Sequence, residues 1–173
     1  ISIDFLLFFD KHLVGNFKPM LVLGIDPGLA TVGYAIVKGS KERPVCLDFG
    51  VLTTDFSEDV TLTDRLLEIA GDLESIIQTH RPQRAVVEEL FFFKNQKTAI
   101  TVAQSRGVVL YLLAKHNIPV MHVTPLQVKQ TLCGYGKASK RQIQTMVQKL
   151  FNLANLPKPD DAADSLAIAW WGL

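Results

Sequence analysis

The stretch LVLGIDPGLATVGYAIV, residues 21–37, decides how the rest of the chain is read. Leu21 to Ile25 has the aliphatic, β-branched content of a buried strand, and Thr31 to Lys38 reads as a second strand. Asp26-Pro27-Gly28 stands between them as a turn. A connection this short makes the two strands antiparallel neighbours, because a parallel pair needs a long crossover. Asp26 therefore sits where a central strand leaves the core. A carboxylate there is costly to desolvate unless something positive meets it.

Outward from that hairpin, residues 45–53 form a third strand after the loop GSKERP (39–44). Thr61 or Thr63 caps a helix carrying Leu62, Leu66, Ile69, Leu73, Ile76 and Ile77 on one stripe. RAVVEEL (84–90) is a fourth strand, again ending in carboxylates. An amphipathic helix over about 97–116 leads to a short fifth strand, VMHV. Pro125 suits the first position of a helix. Ser139 caps KRQIQTMVQKLFNL, and Pro157 and Pro159 bracket the entry to a last helix, DDAADSLAIAWWGL. Three antiparallel strands followed by alternating helix and strand predict an α/β, RNase-H-like mixed five-stranded sheet flanked by helices.

The 173 residues make one domain by length, with 48% hydrophobic and 20% charged residues. The first nineteen, ISIDFLLFFDKHLVGNFKP, lack the basic start, long apolar centre and cleavage site of a signal peptide. They are expected to be an extension outside the fold, with residues 20–173 forming the domain. No apolar run reaches the length of a membrane span. Cys46 and Cys133 have no metal-ligand spacing, so a reducing, cytoplasmic setting is expected.

The net charge of +1 conceals an asymmetry. From Leu90 to Pro159 there is no Asp or Glu, yet that segment holds ten of the 18 basic residues. One strongly basic region within a domain suits a polyanionic partner meeting one face.

The acids fall at element ends: Asp26 after strand one, Glu88 and Glu89 after strand four, and Asp160, Asp161 and Asp164 opening the last helix. If strands one and four are neighbours, Asp26 and Glu88 leave the same end of the sheet. Asp161 and Asp164, three apart, share a helix face. Singly, each could be a turn, a cap or a solvated end. Together, four converging carboxylates call for divalent cations, and an all-oxygen donor set favours Mg²⁺ or Mn²⁺ over zinc. Two such ions support phosphodiester cleavage.

GIDPG, VVEELFFFKN, SRGV, VKQTLCGYGKASK and DDAADSLAIA, in this order from about Leu21 to Ala169, resemble the RuvC family of Holliday-junction resolvases. The resemblance implies a homodimeric endodeoxyribonuclease, with two Mg²⁺ ions per subunit and Mn²⁺ able to substitute. It would nick four-way junctions symmetrically, in company with a branch-migration helicase. The catalytic and metal-holding tetrad falls on Asp26, Glu88, Asp161 and Asp164. Lys129 and Lys140 fall on basic DNA-binding positions, with Arg141 beside them, and Phe91 on an aromatic that stacks on junction bases. Glu89 and Asp160 are additional acids. The family's frequent basic tail has no counterpart after Leu173.

Three other readings remain open on the residues. An actin-like ATPase shares the strand–Asp–Gly turn but needs a second such domain. An RNase-H-like nuclease of single strands or RNA would cut linear substrates without a dimer. A non-catalytic branched-DNA-binding relative would be missing one of the four acids.

Overall fold

The computed structural model describes residues 19–55, 57, 59–90 and 96–173. The expected extension therefore lies, but for Pro19, outside the described residues, as does Phe91.

Ten elements follow in chain order: β1 (Met20–Asp26), β2 (Thr31–Gly39), β3 (Pro44–Thr53), α1 (Leu62–His80), β4 (Arg84–Glu88), α2 (Gln96–Lys115), β5 (Val120–Val123), α3 (Pro125–Cys133), α4 (Lys140–Leu150) and α5 (Asp160–Trp171). The five strands form one sheet in the order β3-β2-β1-β4-β5. β1–β2 and β2–β3 are antiparallel, whereas β1–β4 and β4–β5 are parallel. α1 and α2 supply the crossovers that the parallel pairs require.

Alternation along the strands divides the core into two layers. Leu23, Ile25, Ala85 and Val87 pack under α1 and α2 with Ile69, Leu73, Val109 and Leu113. Val22 and Val86 face the other way, into a layer with Val128, Ile143, Val147 and Leu166 from α3, α4 and α5. By the same alternation Asp26 and Glu88, one step beyond the buried residues Ile25 and Val87, fall on the α5 side.

The helix starts are built by local chemistry. Thr61, Thr124 and Ser139 each accept the N3 amide of their helix, and the N3 side chains of Asp64, Gln127 and Gln142 return the bond. These are capping boxes, and Pro125 opens α3 at its first turn.

Three ends stop two or three residues short of the sequence reading, α5 at Trp171 rather than Leu173 being one. β4 stops at Glu88 rather than Leu90, although the Glu89 amide still bonds the Val123 carbonyl at 2.8 Å. α4 stops at Leu150 rather than Leu153, because Asn152 adopts a left-handed φ of 51° and the chain turns away.

No described helix is long and apolar enough to cross a membrane. Along α2, Ile100 (63% exposed) and Tyr111 (66%) stand out beside exposed Ala103, Gly107 and Ala114, an apolar strip at helical spacing.

Candidate active site

α5 lies directly on β1 and β2 because glycines leave room for it. At Gly24 a Cβ would stand 2.4 Å from both the Ala169 nitrogen and the Ser165 oxygen. At Gly33 it would stand 2.2 Å from the Asp161 carbonyl oxygen and 3.3 Å from the Asp26 Cβ. Gly33 pairs with Asp26 across the β1–β2 ladder. The bare backbone of Gly33 thus lets the first turn of α5 settle beside the end of β1.

That first turn carries Asp160 and Asp161. Neither is a cap: Pro159 holds the N-cap position and makes no side-chain capping bond. The two acids instead gain from the positive end of the helix dipole. Asp164 follows on the same face.

β1 and β4 run parallel with Ile25 beside Val87. The next residues, Asp26 and Glu88, therefore leave the sheet side by side, as the sequence requires of neighbouring strands. Burial pushes Asp26 up to about 7, helped by the charges of Asp164 and Asp161. Burial, followed by the charge of Asp26, pushes Glu88 up to about 9, and the two side chains share a hydrogen bond. Their protons accordingly leave as those of a pair. Asp164 is pushed up to about 6 by burial, against the pull of Lys140. Asp161 is raised by burial and then by Asp160.

Two lysines from the acid-free segment approach these carboxylates. Lys140, the first residue of α4, gives its ammonium to Asp160. That bond holds the Asp160 carboxyl below the usual range and raises Lys140. Lys129, on α3, is felt by both Glu88 and Asp164. Arg141 is exposed and lines a separate cavity of about 250 Å³ with Cys133, Tyr135 and Met146. A cavity of about 350 Å³ opens beside the carboxylates, lined by Gly28, Leu29, Thr31, Thr101, Val102 and Asp161.

As they stand, no three His, Cys, Asp or Glu side chains among the described residues converge closely enough to enclose a metal ion. The Asp26 and Glu88 side chains hydrogen-bond each other, and Asp160 is drawn to Lys140. The donor set itself fits a hard divalent cation: four oxygen-bearing side chains, all with proton affinities raised first by burial.

Gly24 and Gly33 were not singled out in the sequence. Their signal was there, since a glycine inside a strand marks a close backbone approach. Only the position of α5 says what approaches.

A mixed sheet of this order, with acids leaving its two central parallel strands under an acid-bearing helix, is an RNase-H-like nuclease domain. The family model described as crossover junction endodeoxyribonuclease RuvC matches residues 22–171, and the chain belongs to that family. A RuvC from Syntrophomonas wolfei is 48% identical over 87% of this chain and 86% of its own. One from Chloroflexus aurantiacus is 51% identical over 87% and 90%. The solved Thermus thermophilus RuvC in complex with Holliday junction substrate superposes with a TM-score of 0.81 at 33% identity, covering 87% of this chain and 91% of that one.

Proposed function

We propose that this protein nicks four-way DNA junctions in symmetric pairs, with Asp26, Glu88, Asp161 and Asp164 holding two Mg²⁺ ions in each subunit of a homodimer. The observation that carries this reading is the meeting of acids from β1, β4 and α5 on one face at one end of the sheet. Family membership, and the relative solved with a Holliday junction, supply the substrate.

Mg²⁺ or Mn²⁺ bound there supplies Lewis-acid activation of water and neutralises charge building on the phosphate. The protein's own residues do the rest. Asp26 and Glu88 would hold the ions as carboxylates, so a bound ion would compete with the protons that burial favours at both. Lys129 and Lys140 offer positive charge to the DNA backbone at the rim, which positions the strand without reading its sequence. Arg141 extends that basic edge, and Phe91 is assigned the stacking contact with junction bases on resemblance alone.

The dimer reading draws on α2. Its strip of Ile100, Ala103, Gly107, Tyr111 and Ala114 is apolar and exposed, and a two-fold axis supplies the two matched sites that paired nicks need. Sedimentation at micromolar concentration should give a dimer. A monomer with and without DNA would refute that part of the proposal. A branch-migration helicase remains the expected partner by resemblance.

The deciding experiment incubates the protein and Mg²⁺ with a labelled four-way junction, a linear duplex and a single strand. Junction cleavage should dominate. Equal or faster cutting of linear DNA would favour a general RNase-H-like nuclease instead.

A second test isolates Lys140. Lys140→Ala should slow cleavage and lower the slope of log affinity against log salt by about one phosphate contact. Wild-type cleavage with an unchanged slope would leave Lys140 only its ion pair with Asp160.

The acid pair also ties stability to pH. Asp26 and Glu88 bind protons more tightly folded than unfolded, so the metal-free protein loses stability as pH rises from about 4 to about 9. Melting temperature should fall across that window, and less so in an Asp26→Asn, Glu88→Gln double variant. Mn²⁺, which competes with the protons, should raise the wild-type melting temperature most at the alkaline end. A Mn²⁺ shift independent of pH would argue against these two residues as its ligands.

A further inference from the structure

α2 reaches the candidate site from the face of the sheet opposite α5. Two adjacent residues on it, Ser105 and Arg106, each donate a hydrogen bond to a main-chain oxygen at one of the two strand exits. The Ser105 hydroxyl donates to the Gly28 carbonyl at 2.6 Å, two residues beyond Asp26. The Arg106 Nε donates to the carbonyl of Glu88 itself at 3.2 Å.

Both bonds are unlike their neighbours. Helical hydroxyls usually bond back to a carbonyl one turn earlier, as Ser75, Thr79, Thr131 and Thr145 do here. Ser105 is fully buried, and its hydroxyl instead reaches a turn 77 residues away in sequence. Arg106 uses a second arm as well, its Nη2 standing 2.9 Å from His122 Nδ1. A guanidinium only donates, so the imidazole Nδ1 accepts there. His122 lies beside Val87 in the β4–β5 register. Arg106 therefore joins α2, the end of β4 and β5.

The need for such ties follows from the ladder. The pairing between β1 and β4 ends at Ile25–Val87, one residue short of both carboxylates. Beyond that point no rung of the described β1–β4 ladder sets the distance between the two exits. Ser105 and Arg106 hold them from a single rigid helix.

We propose that Ser105 and Arg106 are a pair of positioning residues that set the spacing of the Asp26 and Glu88 strand ends, and so the affinity of the carboxylates for divalent ions. This rests on the reading of Asp26 and Glu88 as metal-holding residues of a nuclease.

The test compares wild type with Ser105→Ala, Arg106→Met and Arg106→Lys. Mn²⁺ binding to the DNA-free protein is followed by titration calorimetry, junction affinity by gel shift in Ca²⁺, and cleavage by single turnover well below each melting temperature. Arg106→Met should weaken Mn²⁺ binding and slow cleavage roughly 10- to 100-fold, as loss of groups behind metal ligands does elsewhere. Ser105→Ala should do the same by about 10-fold, at the low end of that range. Arg106→Lys should recover most of the loss, because an ammonium can still donate to the Glu88 carbonyl. Junction affinity should not change.

Variants that melt earlier yet bind Mn²⁺ and cut as wild type does would reduce both residues to structural supports and overturn the proposal. Should Arg106→Met fail to fold, Arg106→Lys and Ser105→Ala decide the matter. A wild-type protein that neither binds Mn²⁺ nor cuts the junction would overturn the nuclease reading and this proposal with it. That outcome is distinct from variants matching an active wild type.

Discussion

Asp26→Asn should lower junction cleavage by at least about 10³-fold, the scale seen when a charge-stabilising group is removed from an active centre. Asparagine keeps the shape of aspartate, so the end of β1, its pairing with Gly33 and the seat of α5 are preserved. What is lost is a carboxylate that feels Asp161 and Asp164 and hydrogen-bonds Glu88. The proposed reading assigns binding to the basic rim rather than to these acids, so a gel shift in Ca²⁺ should give wild-type affinity or better. Glu88→Gln and Asp164→Asn should behave alike. Cleavage within a few-fold of wild type in Asp26→Asn would remove that residue from the metal-holding set, whatever the other two do.

The largest loss of stability is expected at Gly24. A strand glycine replaced by a β-branched residue ordinarily gains, through propensity and a stiffer unfolded chain. Here the added Cβ would meet main-chain atoms of Ser165 and Ala169 at 2.4 Å, and backbone atoms cannot rotate aside as a side chain could. Gly24→Val must lift α5 from the sheet and disturb Leu166 and Ile168 in the core beneath it. Overpacking of this kind costs about 3 kcal/mol or more, which corresponds to a fall of roughly 10 °C in melting temperature for a chain of this size. A melting temperature within about 2 °C of wild type, under 1 kcal/mol on that scale, would mean that α5 is not seated as described. Gly33→Ala is the informative partner. Its clash is chiefly with the Asp161 carbonyl in the first turn of α5, with a tight approach to the Asp26 Cβ, so cleavage should suffer more than stability.

The sequence carried the fold far because each strand states its own exit. Ile25-Asp26-Pro27-Gly28 and Val87-Glu88-Glu89 both pass from apolar to acidic in one step, and Thr61, Pro125 and Ser139 mark helix starts by chemistry that needs no tertiary partner. The sheet alternation then places Asp26 and Glu88 on one face. What could not be read is whatever depends on the height and tilt of α5. The pairing of Lys140 with Asp160 spans twenty residues and two helices, and it leaves no mark in either local pattern. The same holds for Ser105, whose neighbours in sequence suggest an ordinary buried helix position. Arg106 could be recognised as part of SRGV, yet nothing nearby in the chain names the Glu88 carbonyl as its acceptor. Phe91 lies outside the described residues, so its part in junction binding stays with the resemblance.

The acids of the site are drawn from widely separated parts of the chain: β1, β4 and α5. α5 also closes the core over Val22 and Val86. During synthesis β1 to β4 leave the ribosome well before residues 160–171, and a domain completes its packing only when its parts are all available. Until α5 has emerged and settled over Gly24 and Gly33, Asp26 and Glu88 face solvent without Asp161 and Asp164. If Asp161 and Asp164 hold the ions together with Asp26 and Glu88, as proposed, a nascent or proteolytically shortened chain without α5 has only half of the site and should not cut the junction. On that reading the order of elements works as a safety catch, because the carboxylates of α5 leave the ribosome after every strand of the sheet.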